Sequence, residues 1–374
     1  MRFLEIIGGW INRHFSHEEA IYLVVLLVGI FLVLVSLGWV LAPVLTGLVL
    51  AFLLEGLVAR LVKVRVGNWH VPEWLAVQLT FVLFIGGLVA LMLFVFPLAW
   101  RQLVAFVNTL PNLIGSLQSV ARDLPERFPN VVSEAQVESW LAMFGTEVTG
   151  MGRALIEGTL MQVPSVLGLT IYLVLVPISV FFFLKDRQLL MDWVRSLLPE
   201  ERPLIDRVGG EMNRQIANYV RGKFVEILII GVATYAIFAI MGLNYAALLG
   251  LIVGLSVLVP FIGAAVVTVP VALVAFLQWG WSWDFAWVMV AYGIIQALDG
   301  NVLVPLLFSE AVDLHPITII VAVLAFGGLW GFWGVFFAIP LATLVKAIYT
   351  AWPSTVVSPA IERSAETDSG ASLP

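Results

Sequence analysis

The sequence predicts an all-α polytopic integral membrane protein, and three features lead to this prediction. Of its 374 residues, 61% are hydrophobic and only 12% are charged, whereas about a quarter of the residues in soluble domains are charged. Apolar runs as long as a membrane span recur along the chain, and Lys and Arg are confined to a few segments between them. We expect about six full spans, two hairpins of short helices, and amphipathic helices on both sides of the membrane.

Residues 1–96 form a predicted three-span scaffold. The apolar run 20–54 is too long for one span, since about 20 residues cross a bilayer. Gly38, Trp39 and Pro43 interrupt its middle, so we predict a tight helical hairpin and then a third span. These spans lie near 21–37, 40–58 and 74–96. Because no small-residue cleavage site follows the first segment, we expect a retained span rather than a signal peptide.

The middle of the chain alternates amphipathic and apolar segments. In 97–162, apolar residues recur at helical spacing among polar ones, which predicts extracytoplasmic amphipathic helices packed on the membrane surface. Residues 163–184 form the predicted fourth span. Residues 185–223 are basic and carry one apolar face, which predicts a cytoplasmic interfacial helix on an anionic leaflet.

Residues 224–350 form the predicted transport core. After a conventional span, two pairs of short apolar segments follow, each joined by a turn that contains glycine. The pairs are 245–259 with 264–277, and 316–326 with 333–347. Segments of about 12–15 residues are short for a full crossing, so we favour two re-entrant hairpins over two pairs of thin spans. The remaining residues, 351–374, are rich in Ser, Pro and Glu and are predicted to be disordered.

The distribution of basic residues predicts the orientation. All but four of the 19 Lys and Arg lie in the N-terminus, the 59–73 loop, the 185–223 segment and the C-terminus. Because basic loops remain in the cytoplasm, we expect a multi-pass protein of a bacterial cytoplasmic (inner) membrane with both termini inside.

Several function classes are excluded by composition and motif. There is no Cys, and the four His are scattered, so we expect no metal site. The chain has no phosphate-binding glycine loop and no intramembrane protease motif. We therefore expect no catalytic residue, no cofactor, no nucleic-acid partner and no enzyme activity; the expected partners are the lipid bilayer and a small-molecule or ion substrate.

A set of motifs in the last third is specific. It consists of 244–250, 258–263, Pro270, Asn301, Pro305, 314–316, Gly327, Gly328, Gly331, Gly334 and 340–342. With these motifs the chain resembles, over about residues 20–350, the autoinducer-2 exporter family, also called the PerM-type permeases. The resemblance implies a secondary transporter that forms homo-oligomers. Members are described as exporters of autoinducer-2, as sodium (lithium)/proton antiporters, or as permeases of unknown substrate.

Five polar residues are candidates for substrate binding or ion coupling: Asp299, Asn301, His315, Gln296 and Glu226. Polar groups at membrane depth cost free energy, which makes each one a functional hypothesis. The Asp299 carboxylate, beside an amide, suits a cation or a polyol; a solvated helix end is the alternative. Histidine exchanges protons near neutral pH, so His315 suits proton coupling, with helix capping as the alternative. Glu226 alternatively pairs with its basic neighbours, and Gln296 alternatively faces protein.

A second group of residues is expected to act in gating through the backbone. It comprises Pro260, Gly263, Pro305, Pro316, Gly327, Gly328, Gly331 and Pro340. Glycine permits tight turns and close helix approach, and proline leaves a carbonyl without its helical donor. Such carbonyls either coordinate solute or simply end helices.

The leading function hypothesis is a secondary transporter, a permease or exporter that moves a small solute by alternating access. The alternative within transport is a monovalent cation (sodium or lithium)/proton antiporter that uses Asp299 with His315 or Glu226. A third hypothesis, from another class, is a non-transporting membrane scaffold or regulator. Polar groups at two broken-helix regions argue against the scaffold.

Overall fold

The computed structural model describes residues 18–66, 69–122, 139, 150, 166–200, 202–308 and 314–351. The predictions for most of the second half of 97–162 and for the tail after residue 351 lie outside the described residues. In chain order the elements are α1 (Glu18–Val62), β1 (Arg65–Val66), β2 (Trp69–His70), α2 (Glu73–Ala90), α3 (Phe96–Arg122), α4 (Val166–Lys185), α5 (Arg187–Ser196), α6 (Pro203–Ile240), α7 (Ala246–Ser256), α8 (Ile262–Trp279), α9 (Trp283–Leu298), α10 (Val304–Phe308), α11 (Pro316–Trp330), α12 (Phe332–Phe336) and α13 (Ala338–Ala351).

The structure confirms the all-α polytopic class. In the described part of the chain, five helices are long and apolar enough to cross a membrane: Val40–Val62, Glu73–Thr109, Pro203–Ile240, Ile262–Trp279 and Trp283–Phe308. Shorter apolar helices accompany them. A two-residue antiparallel pair, β1 with β2, lies in the predicted polar loop after α1.

Helix α1 runs without a break through the predicted turn at Gly38–Pro43. Its contacts nevertheless require a bend. Near the start of α1, Leu23 belongs to a buried cluster with Ile205 of α6. Near the end of α1, Gly56 lies against Arg221, which is also on α6. Ile205 and Arg221 are about 24 Å apart along α6, whereas a straight α1 separates Leu23 from Gly56 by about 50 Å. The two predicted spans are therefore joined by one bent, continuous helix, and the tight hairpin turn predicted between them is not present.

The predicted break at residue 97 is wrong. A π-helical turn, Leu91–Val95, joins α2 directly to α3, and Pro97 lies inside the continuous helix. Proline removes one helical hydrogen bond, and a π turn is a common way to accommodate such a local disruption. The first amphipathic helix of the predicted outer segment is thus an extension of the third span.

The predicted division at residue 223 is also wrong. Helix α6 contains the end of the basic segment and the whole next span in one continuous helix, since no proline follows Pro203 within it. Its apolar face does not lie on lipid as predicted, because Ile205 and Val208 pack against residues of α1 and α13. The short helix α5 has the exposed apolar stripe of an interfacial helix instead.

The last third contains two helical hairpins that pack along α6. Hairpin A (α7 and α8) has its two ends close together, since the Gln278 side chain bonds the backbone of Asn244 and of Gly242 at 2.8 and 2.7 Å. Hairpin B comprises α11, α12 and α13, and its turn lies at Gly331, where φ is +58°. Between the hairpins, α9 passes through a π-helical turn, Asp299–Leu303, into α10.

Candidate functional site

Two polar side chains one helical turn apart on α6 form the centre of the candidate site. Tyr219 and Lys223 are both buried, although α6 is largely apolar beyond this point. Residues four apart lie on the same face of a helix, so the two side chains point into the same region. Each of them donates a hydrogen bond to the backbone of a different hairpin.

Lys223 binds the turn of hairpin A. Its Nζ donates to the carbonyl oxygen of Val257 at 2.8 Å. The turn frees that carbonyl, because α7 ends at Ser256 and the helical hydrogen-bond pattern does not continue beyond it. The turn is tight: Phe261 has φ of 62°, and a Cβ on Gly263 would overlap the Ser256 carbonyl.

Tyr219 binds hairpin B at a carbonyl that a proline leaves without its helical donor. Its hydroxyl donates to the carbonyl oxygen of Phe336 at 2.7 Å, and the bond is buried. In a helix that carbonyl would accept from the residue four positions later, which is Pro340 and has no N–H. The hairpin arms approach closely, since a Cβ on Gly334 would overlap the Phe326 carbonyl. Gly263 and Gly334 thus occupy equivalent positions in the two hairpins.

A buried ion pair adjoins these hydrogen bonds. Lys223 and Glu226 are 5% and 1% exposed, and Lys223 Nζ lies 2.8 Å from Glu226 Oε2. The ammonium also lies 5.2 Å from the centre of the Phe308 ring, within cation–π range. Breaking a buried pair leaves an uncompensated charge and costs about 3–5 kcal/mol. The Lys223 ammonium therefore joins α6, hairpin A and α10 at one point.

Asp299 places a second carboxylate beside this pair. It lies at the start of the π-helical turn after α9 and interacts electrostatically with Glu226 and Lys223. Its Oδ1 atom is buried and has no hydrogen-bond partner among the described residues, and the same is true of Gln296 Nε2, one turn earlier. With one ammonium and two carboxylates ionised, the cluster carries one net negative charge. The unpaired Asp299 Oδ1 can accept a hydrogen bond from a solute or a water, or bind a cation.

The other predicted residues lie elsewhere or act locally. Asn301 is exposed, and its amide donates to Ala297 O within the same helix at 2.8 Å. His315 is exposed and is the N-cap of α11, accepting from Ile317 N at 3.3 Å, as in the capping alternative. Pro316 is the first residue of that helix, and Pro305 is exposed within α10. The site thus groups Glu226, Asp299 and Gln296, and leaves Asn301 and His315 outside.

Hairpin B also borders a cavity. A volume of about 630 Å³ lies between its turn, around Trp330, and residues of α1 and α4, including Thr46 and Tyr172. None of the residues that line it is charged. Gly327 contacts Val335 across the hairpin, whereas Gly328 and Gly331 have open space around the Cβ position. Space next to a glycine-rich turn is compatible with movement of this hairpin.

Sequence reasoning missed Tyr219 and Lys223 as site residues. In the sequence Tyr219 lies on the apolar face of the 185–223 segment, and Lys223 is only one of the basic neighbours with which Glu226 could pair, as it does. Each of these two side chains has as its partner a backbone carbonyl that is distant in sequence. A signal existed for one of them: Pro340 removes the helical donor of the Phe336 carbonyl, which must find another donor when it is buried.

Comparison with known proteins gives a consistent result. The AI-2E family transporter profile matches residues 20–354. The "Putative permease PerM" of Escherichia coli K12 is 44% identical over 350 residues, which cover 94% of this chain and 98% of the relative. The "Putative transport protein YueF" of Bacillus subtilis is 27% identical over 293 residues, 76% of this chain and 78% of the relative. A "Putative transport protein" of Methanothermobacter thermautotrophicus is 27% identical over 250 residues, 65% and 72% respectively.

Proposed function

Because this chain belongs to the AI-2E transporter family, as the match over residues 20–354 shows, we propose that it moves a small solute across the cytoplasmic membrane by alternating access. The observation that carries the proposal is the attachment of two hairpins to one helix. Tyr219 and Lys223 of α6 each donate a hydrogen bond to a backbone carbonyl near a turn, one in each hairpin. Broken helices at a buried polar site are typical of secondary transporters.

In the proposed mechanism the two hairpins are the gates. The polar attachment of each gate to the Tyr219–Lys223 turn of α6 is one hydrogen bond, which can break without unfolding the hairpin. The solute binds beside Asp299 and Gln296, whose unpaired polar atoms it satisfies. Binding changes the electrostatic balance at Lys223, which then releases or retains the Val257 carbonyl. The uncharged cavity at the turn of hairpin B gives that gate space to move.

We extend the proposal to the placement of the protein. Both termini lie in the cytoplasm, as the distribution of Lys and Arg favours, and the membrane is the inner membrane of a bacterium. The transport direction is export, as the family resemblance suggests. Homo-oligomers form through the exposed apolar faces of the scaffold helices, of which Val25, Leu32 and Leu83 are examples.

Transport is testable before the solute is known. Proteoliposomes containing the purified chain are loaded with an isotope-labelled, water-soluble cell extract, and the compounds that leave are identified by mass spectrometry. At least one compound should leave faster than from protein-free vesicles, and Asp299→Asn should slow it. If no compound leaves faster and no ion-linked signal appears, the scaffold hypothesis replaces the transporter.

The presence of two carboxyl groups, Glu226 and Asp299, near one lysine favours a second candidate, a monovalent cation/proton antiporter. In this mechanism a sodium or lithium ion and a proton compete for the Asp299 carboxylate. The test imposes sodium, lithium and proton gradients on proteoliposomes that contain a pH dye. A cation-dependent pH change that Asp299→Asn abolishes supports antiport. A flux that survives in the Asp299→Asn variant with unchanged pH dependence rules it out.

A further inference from the structure

An amphipathic pocket lies on the scaffold, apart from the candidate transport site. It has a volume of about 300 Å³ and lies between α1, α4, α5 and α6. Its lining is apolar except for three residues, Glu55, Arg187 and Asn213. The apolar residues Ala51 and Leu184 are buried, so the pocket has an apolar floor.

The rim of this pocket carries one acid and one base. Arg187 Nη1 lies 2.8 Å from Glu55 Oε1, and the two side chains are 51% and 24% exposed. Glu55 of α1 thus pairs with Arg187 of α5. The rim is therefore neutral overall and still accessible, and it offers both an ammonium partner and a phosphate partner.

Helix α5 places the pocket at the membrane surface. It follows α4 directly. Leu189 and Trp193 within it, and Leu197 just after it, are 71%, 61% and 66% exposed. Their spacing of four residues puts them on one face of the helix. A short helix with an exposed apolar stripe and charged residues beside it lies in the interface of a bilayer, with tryptophan at headgroup level. Trp193 also lines the pocket.

We propose that the pocket is a binding site for a phospholipid with a zwitterionic, amine-bearing headgroup. One acyl chain enters the apolar pocket, the Arg187 guanidinium binds the phosphate, and the Glu55 carboxylate binds the ammonium. The neutral rim favours this headgroup over an anionic one, because a purely anionic headgroup has no group to pair with Glu55. A quaternary headgroup has no N–H to donate to Glu55.

The bound lipid braces α5 against the scaffold and α6. Asn213, which lines the pocket, belongs to the helix that carries Tyr219 and Lys223. The site does not depend on the proposed transport activity, because every residue in it lies outside the Lys223–Asp299 cluster. Lipid binding and solute transport therefore fail or succeed in separate assays.

The test is native mass spectrometry of the full chain, purified and delipidated, with phosphatidylethanolamine, phosphatidylglycerol and phosphatidylcholine of matched acyl chains. The ethanolamine lipid should bind most tightly. Arg187→Gln and Glu55→Gln should each weaken it by about tenfold, the effect of one charge-assisted hydrogen bond. The matched control is Lys185→Gln, a neighbouring base that pairs with Asp186 and does not line the pocket; it should leave binding unchanged.

A fluorescence measurement locates the bound lipid without relying on these charge variants. Phosphatidylethanolamine with brominated acyl chains should quench the emission of Trp193. The contribution of Trp193 is the difference in total tryptophan quenching between the unchanged chain and the Trp193→Phe variant, which should be quenched less. Equal affinity for the three lipids, or equal effects of Arg187→Gln and Lys185→Gln, would show non-specific lipid only and overturn the proposal. A preference for phosphatidylglycerol that Arg187→Gln removes would overturn the zwitterionic assignment.

Discussion

The hydrogen bond from Tyr219 to hairpin B makes the sharpest prediction. In Tyr219→Phe the ring remains between Phe308 and Phe336, whose ring centres lie 5.8 and 5.7 Å away, and only the hydroxyl is lost. The Phe336 carbonyl then has no donor, since Pro340 cannot supply one. An unsatisfied buried acceptor costs about 1–3 kcal/mol.

This cost should appear as local opening of hairpin B. Free energies of about 1–3 kcal/mol correspond to about a 5- to 150-fold change in an equilibrium constant. We expect hydrogen exchange of α12 and α13 to accelerate by a factor in this range, while α2 exchanges as before. The measurement is hydrogen–deuterium exchange by mass spectrometry on the reconstituted protein. The matched control is Tyr235→Phe, a half-exposed tyrosine on the same helix.

A double-mutant cycle isolates the carbonyl as the cause. Pro340→Ala supplies an N–H at position 340 that can bond Phe336 O within the helix. In the Pro340→Ala background, Tyr219→Phe should therefore have a much smaller effect on exchange. Equal effects of Tyr219→Phe with and without Pro340, or no effect in either background, would refute this reasoning.

Three further predictions follow from the same region. Lys223→Met should lower the free energy of unfolding by about 3–5 kcal/mol, and adding Glu226→Gln should restore part of it, because the single change leaves a buried carboxylate unpaired; thermal unfolding in detergent measures both, and an additive loss would contradict the pairing. Gly263→Ala should lower the melting temperature sharply, because its Cβ meets the Ser256 carbonyl, whereas Gly86→Ala, with open space around it, should not; equal melting temperatures would show that the turn relaxes. Asp299→Asn should lower flux without lowering the melting temperature, since it removes a charge whose Oδ1 has no hydrogen bond; a parallel loss of both would assign Asp299 a structural role.

The hairpins could be predicted from sequence because local signals mark them. Pro260 lies between the end of α7 and the start of α8, and Gly331 lies between the end of α11 and the start of α12. The observed helix boundaries at both turns lie close to the predicted ones. The continuity of α6 was also readable, since no proline follows Pro203 in it. Composition suggested a boundary in α6, because the residues change from basic to apolar at Lys223. That change marks a different environment along the helix, and the helix itself continues through it.

The attachment of the hairpins to α6 could not be predicted from local pattern. Tyr219 and Phe336 are 117 positions apart, and Lys223 and Val257 are 34 apart. Periodicity assigns a side chain to a face, but only tertiary packing decides which carbonyl that face meets. For the same reason the sequence could combine Asp299 with either His315 or Glu226, and only the structure places Asp299 near Glu226 and Lys223.

Alternating access itself is tested most directly at the turn of hairpin A. The chain has no cysteine, so Ser256→Cys introduces a single reactive thiol at the end of α7, and Ser36→Cys on α1 provides a control on a lipid-facing helix. A membrane-impermeant thiol reagent is added to one side of reconstituted vesicles and then to the other. Alternating access predicts that position 256 reacts from both sides of the membrane. When solute is added, the two reaction rates should change in opposite directions. Position 36 should not react from either side. Reaction of position 256 from one side only, under all conditions, would contradict it.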